Sequence, residues 1–122
     1  MANTDFKLNT RTGVRKATID TTATVRIGNA AEELVSQWVV QIVPTGLTGG
    51  FVPKGRVIGS ELTGGNLATL LLYSASSETA VSTASPVGTA GVYYIPADGL
   101  DVFLDFTVSA GSLDVYIRPI KG

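Results

Sequence analysis

The stretch from Gly91 to Lys121 constrains the fold more than any other part of the chain. Within it Val102, Leu104, Phe106 and Val108 alternate with Phe103, Asp105 and Thr107. After Ser109-Ala110-Gly111-Ser112 the alternation resumes, with Leu113, Val115 and Ile117 set against Asp114, Tyr116 and Arg118. A period of two built from β-branched and aromatic residues marks half-buried strands, and a Gly-containing break of about four residues between two such runs marks a hairpin. The pattern therefore predicts a C-terminal β-hairpin. A lone hairpin is marginal in water, so the rest of the chain has to cover its two inward rows.

The preceding segments supply that cover. Ala17, Ile19, Thr21, Ala23, Val25 and Ile27 alternate with Thr18, Asp20, Thr22, Thr24 and Arg26, which predicts one long strand with a wet face that ends at Gly28-Asn29-Ala30. Residues 31 to 35 are the only stretch suited to a helical turn. Trp38, Val40 and Ile42 then alternate with Val39, Gln41 and Val43 in a strand that must end or lie on an edge at Pro44, because proline cannot donate to a ladder. TGLTGG at 45 to 50 and Pro53-Lys54-Gly55 read as turns, and Arg56 to Ser60 as a short strand. Leu67 to Tyr73, apolar on both faces except at Thr69, reads as a central strand or one covered on its outer face by another chain. Loops around a short strand at 80 to 82, then a strand from Val92 to Ile95 and a turn at Pro96 to Gly99, complete the count. About eight short strands with turn signals every 8 to 12 residues predict an all-β, single-domain antiparallel β-sandwich over residues 17 to 122, jelly-roll-like, behind an extended N-terminal arm of residues 1 to 16.

Composition narrows the chemistry. The 122 residues fit one domain and contain neither cysteine nor histidine. Disulfides, thiolate metal sites, Ser-His-Asp and Cys-His nucleophiles and the ordinary zinc sites are all ruled out by that absence. The net charge is -1, but Lys7, Arg11, Arg15 and Lys16 against Asp5 give the first 16 residues a local +3, leaving -4 for the body. A basic arm on a weakly acidic body predicts no nucleic-acid partner for the domain as a whole. No apolar run approaches the ~20 residues that span a bilayer, and the first residues lack the apolar core of an export signal, so neither membrane nor Sec export is expected.

Each candidate site has a plainer reading. Gly46, Gly49, Gly50, Gly64 and Gly65 open no helix, so they are turn residues rather than a phosphate cradle. Asp98, Asp101, Asp105 and Asp114 match no calcium loop and read as solvated strand faces, with no metal and no cofactor expected. Nothing sets two carboxylates across a cleft, so no enzyme is expected. Tyr94 and Tyr116 are the aromatics that could share an exposed face and stack on carbohydrate, whereas Trp38 and Phe106 fall in core rows. Val39, Val43, Leu70, Leu72 and Phe103 lie on nominally outer faces, more apolar surface than one domain hides. Burial between subunits would resolve it, and a closed homo-oligomer is the natural form.

The end of the chain, VGTAGVYYIPADGLDVFLDFTVSAGSLDVYIRPI, the polar arm in front and the Thr/Ser/Ala/Gly/Val-rich composition without Cys or His together resemble the small β-sandwich structural proteins of tailed-phage virions, especially head decoration (capsid cement) proteins. The resemblance spans roughly residues 36 to 122 as a pattern and includes no diagnostic motif. Similar segments occur in head fibres and in tail or neck components. It implies a non-enzymatic viral structural protein, often a homotrimer, that binds the major capsid protein on the outer capsid surface and stabilises the head. Such a protein is made in the host cytoplasm and resides in the virion. By analogy, Phe6, Lys7, Leu8, Arg11, Arg15 and Lys16 of the arm are the residues expected to grip the partner, an extended segment adding backbone hydrogen bonds to a sheet edge. A carbohydrate-binding module is the alternative.

Overall fold

Two strands, each more than 20 residues long, organise the domain. The computed structural model describes residues 3–27 and 35–121. Its elements in chain order are β1 (Asn3–Leu8), β2 (Arg15–Ile19), β3 (Ala23–Arg26), β4 (Val35–Val57), a 3-10 turn at Gly64–Asn66, β5 (Ala68–Thr69), β6 (Tyr73–Ser74), β7 (Gly91–Pro96) and β8 (Leu100–Lys121). All the strand pairings are antiparallel. β4 and β8 pair along almost their whole lengths, from Val35 opposite Lys121 to Val57 opposite Leu100. The described residues therefore form one all-β antiparallel domain of eight strands.

The expected C-terminal hairpin is replaced by a bend. β8 runs straight through Ser109 to Ser112, and β4 runs through the TGLTGG segment opposite it. The register slips twice there, between Thr45 and Thr48 and between Thr48 and Gly49. Such slips are β-bulges, which kink a strand and reverse which face its side chains take. Buried positions in β8 accordingly change from Val102, Leu104 and Phe106 to Leu113, Val115 and Ile117; in β4 they change from Trp38, Val40 and Ile42 to Phe51. The two inward rows are those the alternation predicts; the break between them changes parity without turning the chain back. Pro44 does not end β4 either. It lies beyond Ile42, the last β4 residue paired to β7, on a flank that lacks a ladder partner.

Folding the ribbon at this corner brings its halves face to face. The first half of β8 and the second half of β4 are flanked by β3 and β5. The other halves are flanked by β2 with β1 on one side and β7 with β6 on the other. Phe51, on the first layer, meets Tyr93 of β7 on the second in an edge-on contact with ring centroids 5.9 Å apart. One continuous core, including Trp38, Phe51, Ile95, Phe106 and Ile117, fills the space between the layers. Each such side chain contributes about 1.5–3 kcal/mol of transfer free energy, which makes this shared core the main stabilising element. The corner itself is built from close backbone approaches. A Cβ on Gly50 would overlap the Val87 carbonyl, whose oxygen accepts from the Phe51 N–H at 3.0 Å.

The bend also corrects the reading of residues 17 to 27. One long strand there becomes β2 and β3, broken at 20 to 22, because a strand following the edge of β8 must break where β8 bends. Ile19 lies opposite Leu113 and Ala23 opposite Phe106, on either side of the corner. Leu67 to Tyr73 is likewise no central strand. It touches β4 through β5, crosses between layers and touches β7 through β6. Leu72 thereby enters the core and Leu70 packs against it, so neither belongs to an outer apolar surface; Leu71 is the exposed leucine of this segment. The helical turn expected over 31 to 35 lies outside the described residues except for Val35, which opens β4.

Candidate interaction surface

The register fixes which side chains share the outer face of the β1-β2-β8-β4-β7-β6 layer. Directly opposed residues lie on one face, so Val39 groups with Tyr94 and Arg118, Gln41 with Val92 and Tyr116, and Val43 with Asp114. Lys16 extends the Tyr116 row and Lys7 extends it again onto β1; Tyr73 extends the Tyr94 row onto β6. Gln37 sets Pro96 and Ile120 at the far end. Val43 and Ile120 are well exposed, and Val39, Val92, Tyr94 and Tyr116 are half-buried. Four strands at about 4.8 Å spacing and six residues at about 3.4 Å make this field roughly 400 Å². A groove of about 200 Å³ crosses it, lined by Val14, Val39, Gln41, Val92, Tyr116, Ile117 and Arg118.

The two tyrosines singled out from the sequence are thus on one face, but the geometry gives them different roles. Tyr94 and Tyr116 sit on β7 and β8 with β4 between them, about 12 Å apart from the strand and residue spacings. The Lys16 ammonium lies over the Tyr116 ring, 5.4 Å from its centroid.

The six predicted partner-binding residues separate into two groups. Phe6 packs against the core, and Arg15 places its guanidinium 5.3 Å from the centroid of the buried Trp38 ring while Nη1 donates to the Ile27 carbonyl at 3.2 Å. These two hold the β1-β2 edge onto the domain. Lys7, Leu8, Arg11 and Lys16 are exposed. Lys7 faces Lys16 across the strand pair, and Leu8 faces Arg15. Arg11 sits in the β1-β2 turn, where its N–H donates to Asn9 Oδ1 at 3.0 Å and the Gly13 N–H donates to the Asn9 carbonyl at 2.8 Å. Residues 3 to 8 therefore dock on their own domain as an edge strand, and β2 begins at Arg15, inside the segment read as an arm.

The other outer face is polar and contains a residue that the sequence misplaces. Asp101 belongs to the outward row of β8 yet is 2% exposed. Arg26 Nε donates to Oδ1 at 2.7 Å, and Arg56 Nε and Nη2 each reach Oδ2 at 3.1 Å. Arg56 also donates to the Leu62 carbonyl at 2.7 Å and lies 5.1 Å from the centroid of the Phe103 ring, which is therefore partly covered. The carboxylate expected to be solvated is instead the centre of a buried ion cluster that ties β3, β4, β8 and the loop after β4 together. Asp105 and Asp114 do lie on outward rows, accepting from Thr24 Oγ1 at 3.0 Å and Thr18 Oγ1 at 2.7 Å. A polar groove of about 280 Å³ on this face is lined by Thr24, Lys54, Gly64, Gly65, Leu67 and Asp105. Among the described residues no group of three or more acidic side chains is placed to hold a metal ion, and no helix is long and apolar enough to cross a membrane. Tyr93 donates its hydroxyl to the Thr89 carbonyl at 2.7 Å, and burial pushes its phenol above the usual tyrosine range. Compared with protein-family models, curated proteins and solved structures, the chain matches none.

Proposed function

We propose that this chain is a non-enzymatic structural protein of a tailed-phage virion, which binds the major capsid protein on the outer surface of the head and stabilises it. The observation that carries the reading is the apolar and aromatic outer face on which Val39, Val43, Val92, Tyr94, Tyr116 and Ile120 lie together. At roughly 400 Å² the whole field, with Gln41 and Arg118 among its apolar side chains, is about half of what a standard interface buries on each partner. With the exposed residues of the β1-β2 edge as its rim, it becomes large enough to hold a protein partner. The virion assignment rests on the likeness of residues 36 to 122 to decoration proteins, and a jelly-roll-like homotrimer is the form that likeness favours. The absence of histidine and cysteine supports a role without catalysis.

The test is to localise the chain in its source culture. Heads purified on a density gradient should contain it, and heads stripped of it should release DNA at a lower temperature than heads to which it has been restored. Recovery of the chain solely in the soluble fraction, with stripped and restored heads equally stable, would refute the reading. The alternative, a carbohydrate-binding module, is favoured by the common face of Tyr94 and Tyr116. A glycan array together with tyrosine fluorescence decides it: hits that Tyr94→Ala removes would support a lectin.

A further inference from the structure

Resting on that reading, we infer that the face carrying Tyr116 recognises an acidic segment of the partner protein, an extended stretch in which a run of aliphatic residues is followed by a run of carboxylates. The groove is apolar at its floor and basic on one side. Val14, Val39 and Tyr116 line it, Arg118 borders it, and Lys16 and Lys7 continue the Tyr116 row outward to the edge. Lys7 and Lys16 stand directly opposite each other, an arrangement that is destabilising in an isolated sheet.

A lysine on an edge strand has a familiar purpose, since it discourages pairing with other chains. That accounts for Lys7 on β1. It does not account for Lys16 and Arg118, which lie on the second and third strands in, where there is no edge to guard. Among the described residues Asp114 is the acid in the paired rows of β2, β4, β7 and β8 on this layer, where it accepts from the Thr18 hydroxyl, and Asp20 follows past the end of the Lys16-Thr18 row. The surface thus has an excess of positive charge beside an apolar trough, and its complement is negative and aliphatic. A sugar fits less well. Lys16 already covers the Tyr116 ring on which a pyranose would stack, and about 200 Å³ is below the range of ordinary small-ligand pockets while admitting a side chain.

The experiment titrates the 15N-labelled full chain with the blocked peptide Leu-Leu-Leu-Asp-Asp-Asp and, in parallel, with its Leu-Leu-Leu-Asn-Asn-Asn counterpart. The acidic peptide is expected to shift the amides of Val39, Tyr116 and Arg118, with binding weakened by salt. The Asn peptide, and the variant combining Lys16→Glu with Arg118→Glu, are each expected to bind about tenfold more weakly, the scale set by losing two or three exposed ion pairs. A Lys16→Gln, Arg118→Gln variant with unchanged melting behaviour guards against a folding artefact. Equal binding of both peptides, or no shift on this face, overturns the inference. So does stronger perturbation of the same amides by oligogalacturonate or by single-stranded DNA, or a self-associated species in sedimentation that the charge reversal dissolves. The two readings fail separately. Heads that bind the charge-reversed chain normally sink the acidic segment alone, and heads that bind no form of the chain sink the virion assignment while leaving the peptide result to stand.

Discussion

Replacing Gly49 by alanine tests whether the bent ribbon is the structural principle of this fold. Gly49 has φ +124°, beyond the left-handed well and in a region that residues with a Cβ scarcely occupy, and a Cβ there would overlap the carbonyl oxygen of Thr107 on β8. Backbone strain of that kind costs about 1–3 kcal/mol. Forcing a methyl group into a closed backbone contact adds about 1–3 kcal/mol, with no flexible side chain available to move aside. The sum, about 2–6 kcal/mol, is a large share of the 5–15 kcal/mol that holds a typical domain together. For a domain of this size it corresponds to a fall in Tm of roughly 8–24 °C, at about 4 °C per kcal/mol. Gly59→Ala is the matched control. Its φ is also positive, at +86°, but nothing lies within 4 Å of the added Cβ, so the loss should be limited to about 1–2 kcal/mol of backbone strain. Urea unfolding followed by circular dichroism measures both. A Gly49→Ala protein no less stable than Gly59→Ala would refute the close approach of β4 and β8 at the corner, and with it the claim that residues 45 to 50 and 107 to 112 form one bend rather than two turns.

Three further outcomes follow from other contacts of the domain. Asp101→Asn should destabilise the domain by about 2–3 kcal/mol in chemical denaturation, less than the 3–5 kcal/mol of a fully buried pair because its arginine partners are partly solvated. In double-mutant cycles the coupling of Asp101 to Arg56 should exceed its coupling to Arg26: the Arg26 contact is shorter, at 2.7 Å, but its side chain is 41% exposed against 16% for Arg56, and solvent screens it more; a reversed order would contradict this ranking. Deleting residues 2 to 8 removes an edge strand and the half-buried Phe6 and should cost about 1–2 kcal/mol, whereas deleting residues 2 to 16 also removes Arg15 from the Trp38 ring and should cost distinctly more; equal losses in urea titrations of the two truncations would show that Arg15 contributes nothing to the edge.

The inward rows of the long strands were legible because a period of two depends only on neighbouring residues. The path of the chain between rows was not. A four-residue break with a glycine suits a hairpin and a bulged corner equally, and the distinguishing sign is non-local: the buried rows of β4 and β8 both change parity, and they do so opposite each other. Burial of Asp101 was hidden for a similar reason. Its row is outward, and its cover comes from Arg26, 75 residues away, and from Arg56 with the loop that Arg56 fixes. Leu72 was misplaced because burial along 67 to 73 follows a crossing between layers, where the pleat no longer dictates which side chain faces the core. The common face of Tyr94 and Tyr116 was accessible from parity alone; that Lys16 covers one of the rings required the register of β2 on β8.

The two outer faces of this protein serve as controls for each other. They belong to the same pair of long strands, share one core and come from one low-charge composition, yet they differ in character. The β3-β8-β4-β5 face presents Thr24, Asp105, Lys54, Thr69, Arg26 and Arg56, largely engaged with one another around the half-buried Val52 and Phe103, Lys54 Nζ donating to Thr69 Oγ1 at 2.7 Å. The other face presents Val39, Val43, Val92, Tyr94, Tyr116 and Ile120, with its cations gathered toward the β1-β2 side. Single exposed apolar residues are normal on any protein and would be spread over both faces alike. Among the described residues Val57, Leu62 and Leu71 are exposed singly, away from the apolar layer, whereas Val39, Val43, Val92, Tyr94, Tyr116 and Ile120 are neighbours on one face, and such contiguity is what a contact surface requires. The contrast between the two faces supports the proposal that one side is held against another protein and the other left to water, and under that proposal the apolar layer, more than the β1-β2 edge by itself, forms the contact.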